Sequence, residues 1–175
     1  MFLPIYKSTY ERRDGLAAGS WYPNGSSLYR EHVFMWAKDL RRSVDYLYTR
    51  SDVDTTRLAY HGSGWGSFLG GIMLAVEPRF KAAILQCPGL VFARPASEVD
   101  QVNFLPRITL PVLMVNGRYD AHVPLESSSQ PMFRLLGTRA EHKKQVVVES
   151  SHCPPVEAFS TEALAWLEKY FGPVR

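Results

Sequence analysis

Short apolar runs alternate with stretches of helical periodicity along the chain, and this alternation constrains the fold more than any other feature. The run PVLMVN at 111–116 is almost entirely apolar, as expected of a parallel strand that is buried on both faces. Apolar residues recur at helical spacing from Val33 to Tyr48 and again over 66–76. Strands that alternate with helices form βαβ units. The sequence therefore predicts an α/β fold with a mainly parallel sheet and helices on both faces.

The same reading gives coarse bounds for the elements. Pro4 restricts the first predicted strand to a sheet edge or a strand end, and the polar, glycine-rich residues 14–27 are typical of a loop. The strands are predicted over 2–6, 57–60, 80–85, 111–116 and 145–148, and the helices over 33–48, 66–76, 130–136 and 158–171.

Composition sets the class of protein. With 46% hydrophobic and 21% charged residues in 175, the chain can form a single globular domain over 1–175. The net charge of +3 is modest and the densest basic group is Arg12-Arg13, so we expect no nucleic-acid partner. No apolar run is long enough to cross a bilayer, and the first residues lack a signal-peptide pattern. We therefore expect no membrane partner and a cytoplasmic location.

The two cysteines, Cys87 and Cys153, lie far apart in sequence and show no metal-ligand spacing. Buried or idle thiols in a reducing compartment are the interpretation that this spacing favours. The sequence therefore predicts neither a metal nor a cofactor.

A glycine-rich turn between a predicted strand and a predicted helix is the first candidate for chemistry. The stretch YHGSGWGSFLGG at 60–71 follows the pattern of a nucleophile elbow, G-x-S-x-G. Gly62 and Gly66 take the outer positions, and Gly64 stands where the serine belongs. Ser63 lies one residue early and could replace that serine only if the turn were shifted.

Two further candidates follow later strands of the predicted sheet. Asp120 lies in the loop GRYDAHVP after 111–116, and His152 lies in ESSHCPP after 145–148. Functional loops gather at the carboxyl ends of parallel strands, and the order elbow, acid, histidine is that of a hydrolase triad. A histidine would take a proton from a weak nucleophile, and the carboxylate would orient the imidazole. Asp120 as an ordinary turn residue and His152 as a surface histidine are the simpler alternatives.

Other residues near these loops are weaker candidates. The amide of Trp65 is a candidate oxyanion donor at the start of the helix, while its side chain is expected to pack. His61 and His122 could line a substrate pocket, although His61 could equally be a packed strand-end residue. The aromatic residues Trp21, Tyr22 and Phe92 could line an acyl pocket or belong to the core.

The segments RLAYHGSGWGSFLGGIMLAVEPRFKAAIL, PVLMVNGRYDAHVPLESSSQPMFRLLGT and VVVESSHCPP resemble those of dienelactone-hydrolase and prolyl-oligopeptidase-like esterases of the α/β-hydrolase superfamily. The resemblance covers nearly the whole chain. It implies hydrolysis of small carboxylic esters through an acyl-enzyme, without a cofactor, and makes Asp120 the triad acid and His152 the base. It places the nucleophile at Gly64 and suggests that Tyr6 and Tyr10 border the pocket.

The resemblance also implies an α/β-hydrolase fold that lacks its first strands, because related domains have several strands before the segment at 2–13. Those strands normally lead to the loop that supplies a second oxyanion amide. Their absence would leave an exposed sheet edge, which invites pairing with another chain. We therefore expect a tendency to form homo-oligomers.

Three hypotheses remain open from the sequence. The chain could hydrolyse small esters through Ser63 or through a water molecule. It could instead be a non-catalytic binding or interaction domain that keeps the fold. It could also be an active hydrolase whose serine has been replaced by Gly64.

Overall fold

The computed structural model describes residues 1–12 and 21–173. These residues form one sheet of four parallel strands in the order β1-β2-β3-β4. The strands are β1 (Ala59–Ser63), β2 (Ala82–Gln86), β3 (Val112–Gly117) and β4 (Lys143–Val148). The parallel sheet predicted from the sequence is confirmed, with strand ends shifted by at most three residues.

The predicted helices are also present, as α1 (Ser27–Tyr48), α2 (Trp65–Val76), α3 (Gln130–Leu135) and α4 (Val156–Phe171). Local residues determine where α1 begins and where α4 ends. The side chain of Ser26 accepts a hydrogen bond from the Tyr29 amide at the start of α1, as an N-cap residue does. Gly172, with φ of 75°, ends α4 in a conformation that favours glycine. A π-helical turn, Leu125–Ser129, precedes α3.

Alternate side chains of the central strands enter different cores, which places helices on both faces of the sheet. Leu85 and Met114 pack in a core with residues of α1 and α2, such as Trp36. Ile84 packs instead with Trp166 and other residues of α4. This alternation is the period of two that a strand dictates, and it confirms the predicted layer order.

Aromatic packing ties α1 to the start of α2. The ring of Trp36 is fully buried and meets the ring of Trp65 edge-on, with centroids 4.8 Å apart. Such a pair contributes about 0.5–1.5 kcal/mol beyond the area it buries. The hydroxyl of Tyr60 in β1 donates to the Gly66 carbonyl at 2.6 Å. The beginning of α2 is therefore held by a helix on one side and by the strand before it.

The strand predicted over 2–6 is absent, which corrects that prediction. Pro4 has no N–H to donate to a ladder, and the chain beyond it bonds to α1 instead. The Lys7 amide donates to Asp39 Oδ2 at 2.7 Å, and Trp36 Nε1 donates to the Lys7 carbonyl at 3.0 Å. Of the predicted loop 14–27, residues 14–20 lie outside the described residues, as does Arg13.

Strand β1 is the first strand of the sheet and has a paired neighbour only on its β2 side among the described residues. The self-association expected from an open edge stays a prediction. Within the described ranges 1–12 and 21–173, no helix combines the length and the apolar character needed to cross a bilayer.

Candidate active site

The loops that follow the four strands meet at one edge of the sheet, linked by backbone hydrogen bonds. The Gly64 amide donates to the Gln86 carbonyl at 3.2 Å, and the Cys87 amide donates to the Val115 carbonyl at 2.8 Å. The Arg118 amide donates to the Val148 carbonyl at 2.8 Å. The parallel ladder thus continues one residue past β1, β2 and β3. It brings the elbow, Cys87 and the Asp120 and His152 loops to the same edge.

Gly64 forms the corner between β1 and α2. Its φ of 50° and ψ of −110° lie in a region that side chains rarely adopt and that clusters at functional sites. Ser63, in contrast, is the exposed last residue of β1 and pairs with Gln86 in the regular register. The strained corner therefore falls at 64, and the turn is not shifted to Ser63.

Gly62 and Gly64 differ in how much space a side chain would have at their positions in the elbow. A Cβ at Gly62 would lie 2.5 Å from the Gly66 carbonyl oxygen, so only glycine allows β1 to approach α2 this closely. A Cβ at Gly64 would meet no atom within 4 Å. A side chain at Gly64 would therefore have room, at the cost of an unfavourable backbone conformation.

Asp120 is held in one orientation by its own turn. Its side chain is fully buried, and Oδ1 accepts hydrogen bonds from the amides of His122 and Val123 at 2.8 and 3.0 Å. The other oxygen, Oδ2, lies 2.7 Å from Nδ1 of His152. The turn role and the pairing role considered from the sequence therefore coexist, each on its own oxygen.

His152 lies in the loop between β4 and α4, half-exposed at its side chain. Because a carboxylate only accepts hydrogen bonds, Nδ1 of His152 donates to Asp120 and Nε2 is left for another partner. The arrangement fixes one tautomer of the imidazole, which is what a histidine needs to take a proton from a nucleophile.

Trp65 is the first residue of α2. The first amides of a helix have no carbonyl acceptor within the helix, so the Trp65 amide suits a developing oxyanion. Its indole packs against Trp36 and against Tyr6, whose ring centroid is 5.8 Å away. Its Nε1 donates to the Trp21 carbonyl at 3.4 Å. The side chain thus packs, as predicted.

The two weaker histidine candidates lie in different surroundings. The ring of His61 stacks on Phe159 of α4 with centroids 5.1 Å apart, and desolvation lowers the pKa of His61. The exposed ring of His122 lies edge-on to His152, with centroids 4.9 Å apart. His122 therefore borders the Asp120–His152 pair, whereas the exposed His61 stacks on α4 and also lines a groove beside β1.

Cys87 and Cys153 form a disulfide across the same edge, with Cα atoms 4.7 Å apart. The interpretation of idle thiols was wrong. Their separation of 66 positions in sequence concealed a proximity that arises because the loops after β2 and β4 meet. Both cysteines have positive φ, 51° and 50°, conformations that are unfavourable for residues other than glycine.

A groove of about 1220 Å³ runs along the open side of β1 and is bordered by Tyr6, Tyr10, Ser63 and Trp65. It reaches the strand side of the elbow, while Asp120 and His152 are not among its lining residues.

The aromatic candidates Trp21, Tyr22 and Phe92 are all exposed, so they do not belong to the core. Tyr6 and Tyr10 border the groove, whereas Trp21, Tyr22 and Phe92 are not among its lining residues. That Tyr6 and Tyr10 border a catalytic pocket stays a prediction.

Two residues that sequence reasoning missed connect the loops. Gln86 Nε2 donates to the Pro154 carbonyl at 3.1 Å, which joins the end of β2 to the histidine loop. Glu149 accepts hydrogen bonds from Arg118 Nε and, at 2.6 Å, from the Tyr119 hydroxyl. In the sequence, Gln86 and Glu149 stand out only as polar residues beside a motif. Because such residues are common on loops, that signal could not have identified them as connecting residues.

Solved structures of other proteins share this arrangement of sheet and helices. A cold-adapted esterase from an Arctic intertidal metagenomic library is similar with a TM-score of 0.70 and 22% identity over 89% of this chain. The protein TT1662 from Thermus thermophilus is similar with a TM-score of 0.74 and 16% identity over 97% of this chain and 76% of its own. The chain has the α/β-hydrolase fold.

A further α/β-hydrolase structure is described as a dienelactone hydrolase from Klebsiella pneumoniae. It has a TM-score of 0.64 and 21% identity, over 85% of this chain and 69% of its own. The chain spans only 62% of the length of the Arctic esterase. No protein-family model matches the chain. The likeness therefore lies in the fold.

Proposed function

We propose that the chain is a carboxylic-ester hydrolase domain of the acyl-enzyme type, in which Gly64 occupies the nucleophile position. The observation that carries this proposal is the 2.7 Å contact between Asp120 and His152, at the sheet edge where Gly64 forms a strained corner. The names of the similar structures, an esterase and a dienelactone hydrolase, support an ester substrate. Small esters are the substrate class that we propose.

Each group would have a defined part in the reaction. A hydroxyl at position 64 would attack the ester carbonyl while Nε2 of His152 takes its proton. Asp120 would stabilise the imidazolium, and the Trp65 amide would donate to the oxyanion. His152 would then return the proton to the leaving alcohol and activate water to release the acid. This route needs no metal and no cofactor.

Gly64 itself limits what the chain can do by this route. Without a side chain at the corner, no acyl-enzyme forms there, and His152 could act only on water. Loss of a triad nucleophile leaves roughly 10³–10⁴-fold catalysis over water in serine proteases, from binding and oxyanion stabilisation. We therefore expect weak turnover from the chain with Gly64 and a large gain when a hydroxyl is introduced.

Gly64 also favours a second function, the binding of a ligand without catalysis. A domain that keeps an oriented Asp120–His152 pair but has Gly64 at the corner could bind ester-like or acid ligands without turning them over. In that case the site would serve recognition, and introducing a hydroxyl would add no activity.

Hydrolysis of p-nitrophenyl acetate by purified protein, oxidised at its disulfide, distinguishes these functions. The unaltered chain, Gly64→Ser, Ser63→Ala and the double variant would be compared. We expect Gly64→Ser to raise kcat on the order of 10³-fold, since a triad nucleophile is worth about 10⁶ and each oxyanion donor beyond the Trp65 amide, the one identified among the described residues, would add a further 10²–10³. Ser63→Ala should not change kcat, either in the unaltered chain or in the Gly64→Ser protein. No gain with Gly64→Ser would favour the binding function.

A further inference from the structure

Three metal-binding side chains gather beside the proposed catalytic pair. The sulfur atoms of Cys87 and Cys153 and a ring nitrogen of His152 all lie within 4.8 Å of one another. Two thiolates and an imidazole form a soft donor set, which selects zinc over magnesium or calcium. The proposed hydrolysis uses His152 and leaves both cysteines without a chemical role.

The histidine is already oriented as in a zinc site. Its Nδ1 donates to Asp120, whose carboxylate is fully buried and fixed by two backbone amides. Zinc-binding histidines characteristically donate their second ring N–H to a carboxylate, which fixes the tautomer and makes the ligating nitrogen more basic. Nε2 of His152 is therefore the nitrogen prepared for a metal.

Contacts other than the disulfide hold the cluster together. The residue before Cys87, Gln86, donates to the carbonyl of Pro154, the residue after Cys153. The Cys87 amide bonds to the Val115 carbonyl in the sheet. Breaking the sulfur–sulfur bond therefore leaves both loops connected and the two thiols close to each other.

We propose that reduction of the Cys87–Cys153 disulfide creates a zinc site formed by Cys87, Cys153 and His152. An external dithiol supplies two electrons and two protons: the sulfur–sulfur bond breaks, each cysteine gains a hydrogen, and the dithiol becomes a disulfide. Zinc then replaces the two thiol protons, which pass to solvent. Oxidised and zinc-bound forms exclude each other because both use the same two sulfur atoms.

Tetrahedral zinc can be reached by side-chain rotation. Zn–S distances near 2.3 Å and Zn–N distances near 2.0 Å place neighbouring ligand atoms about 3.6–3.8 Å apart. The sulfur atoms must separate, while the two sulfur atoms and a ring nitrogen of His152 already lie within 4.8 Å of one another. Three protein ligands leave the fourth position for water, since Asp120 is engaged by His152 and its own turn.

The proposal is independent of ester hydrolysis, although the two are linked through His152. A zinc ion on Nε2 occupies the lone pair that hydrolysis would use to take a proton. Zinc binding can be measured without any ester, so failure of the hydrolase proposal and failure of the zinc proposal give different results.

The first experiment measures zinc stoichiometry on the untagged full chain. Protein with the disulfide intact and protein reduced anaerobically would be dialysed against zinc and then assayed for bound metal. We expect one zinc per reduced chain and none on the oxidised chain. A reduced chain that is folded by circular dichroism and binds no zinc would overturn the proposal, as would equal binding by both forms.

The second experiment identifies the ligands. Cobalt would replace zinc in the reduced protein, where thiolate-to-cobalt charge-transfer absorption reports the sulfur ligands. Cys87→Ser and Cys153→Ser should each reduce that absorption and weaken zinc binding, and Asp120→Asn should weaken it about 10–100-fold. Ser151→Ala, beside the cluster but without a ligand atom in it, is the control and should bind as the unaltered chain does. Unchanged binding in folded Cys87→Ser and Cys153→Ser proteins would refute the assignment.

Discussion

Nδ1 of His152 lies 2.7 Å from Oδ2 of Asp120, and this contact leaves Nε2 as the ring nitrogen available to another partner. Asp120 is fixed in turn, because its Oδ1 accepts two backbone amides of the same loop. A histidine oriented in this way can take a proton from a neighbouring group or bind a metal. The hydrolysis and the zinc site that we propose are alternative uses of this one nitrogen.

The Asp120 carboxylate is expected to matter for kcat more than for KM. In the Gly64→Ser background, Asp120→Asn should lower kcat on p-nitrophenyl acetate by about 10²–10³-fold, toward that of the chain with Gly64, because an amide in this position favours the wrong imidazole tautomer. The substitution keeps an oxygen for the two backbone amides, so the fold should be retained. Ser151→Ala in the same background is the control. An Asp120→Asn enzyme with undiminished kcat would show that the contact is only structural.

The positive φ at Gly64 predicts a loss of stability for any side chain introduced there, whether or not that side chain is a nucleophile. Because a Cβ there would meet nothing within 4 Å, replacement should cost only the backbone term of about 1–3 kcal/mol for a side chain at positive φ. Gly64→Ala and Gly64→Ser should therefore lower the free energy of unfolding similarly in urea titrations. A much larger loss for both would mean that the corner has no room for a side chain.

Reduction of Cys87–Cys153 is expected to destabilise the metal-free chain. The disulfide spans 66 positions, and loop-closure entropy for that length gives about 4 kcal/mol. Urea unfolding with and without reductant measures the difference, and the Cys87→Ser, Cys153→Ser double variant should be insensitive to reductant. If reduction leaves the unaltered chain equally stable, the disulfide is not a constraint on folding.

A buried ion pair away from the site predicts how stability depends on pH. Burial alone would raise the pKa of Glu77, but hydrogen bonds from Arg79 outweigh it and lower that pKa. The unfolded chain therefore takes up the proton first, so this pair stabilises the fold above about pH 4.5 and the contribution is lost as the pH falls through the lowered folded pKa.

Arg79→Met should reverse the sign of this effect. Without the guanidinium, the buried Glu77 carboxylate would have a raised pKa, so the contribution of Glu77 to the stability of the variant would grow on acidification. Unfolding free energies measured across the acidic range test this, each taken as a difference from the Glu77→Gln control, because Asp45 and other carboxylates with lowered pKa titrate in the same range. A variant that loses stability on acidification in the same way as the unaltered chain would contradict the assignment.

The layer order and most of the site could be predicted from local pattern. A buried parallel strand is apolar throughout, so 111–116 was recognisable as β3 (Val112–Gly117). Consecutive strands of this chain are also neighbours in the sheet. Residues that follow strands in sequence, such as Gly64, Asp120 and His152, therefore come together at one edge without any long-range information.

Contacts that depend on loop paths could not be predicted in this way. The Cys87–Cys153 disulfide joins loops after β2 and β4, with β3 between them in the sheet. No periodic pattern in the sequence indicates that these two loops come together. Similarly, the segment 2–6 has strand-like residues, yet the chain after it bonds to α1 through Asp39 and Trp36. Tertiary contacts outweighed local propensity there.

We propose that the corner at Gly64 is the nucleophile position of an ester hydrolase and that the oriented His152 serves it as the base. The most direct measurement is intact-mass and peptide mapping of Gly64→Ser after brief exposure to p-nitrophenyl acetate, with Gly64→Ala as the matched control. We expect a transient acetyl group on the peptide that contains position 64, which is absent in Gly64→Ala and forms much more slowly when His152→Ala is added. Acetylation located at Ser63, or equal labelling of all three proteins, would contradict it.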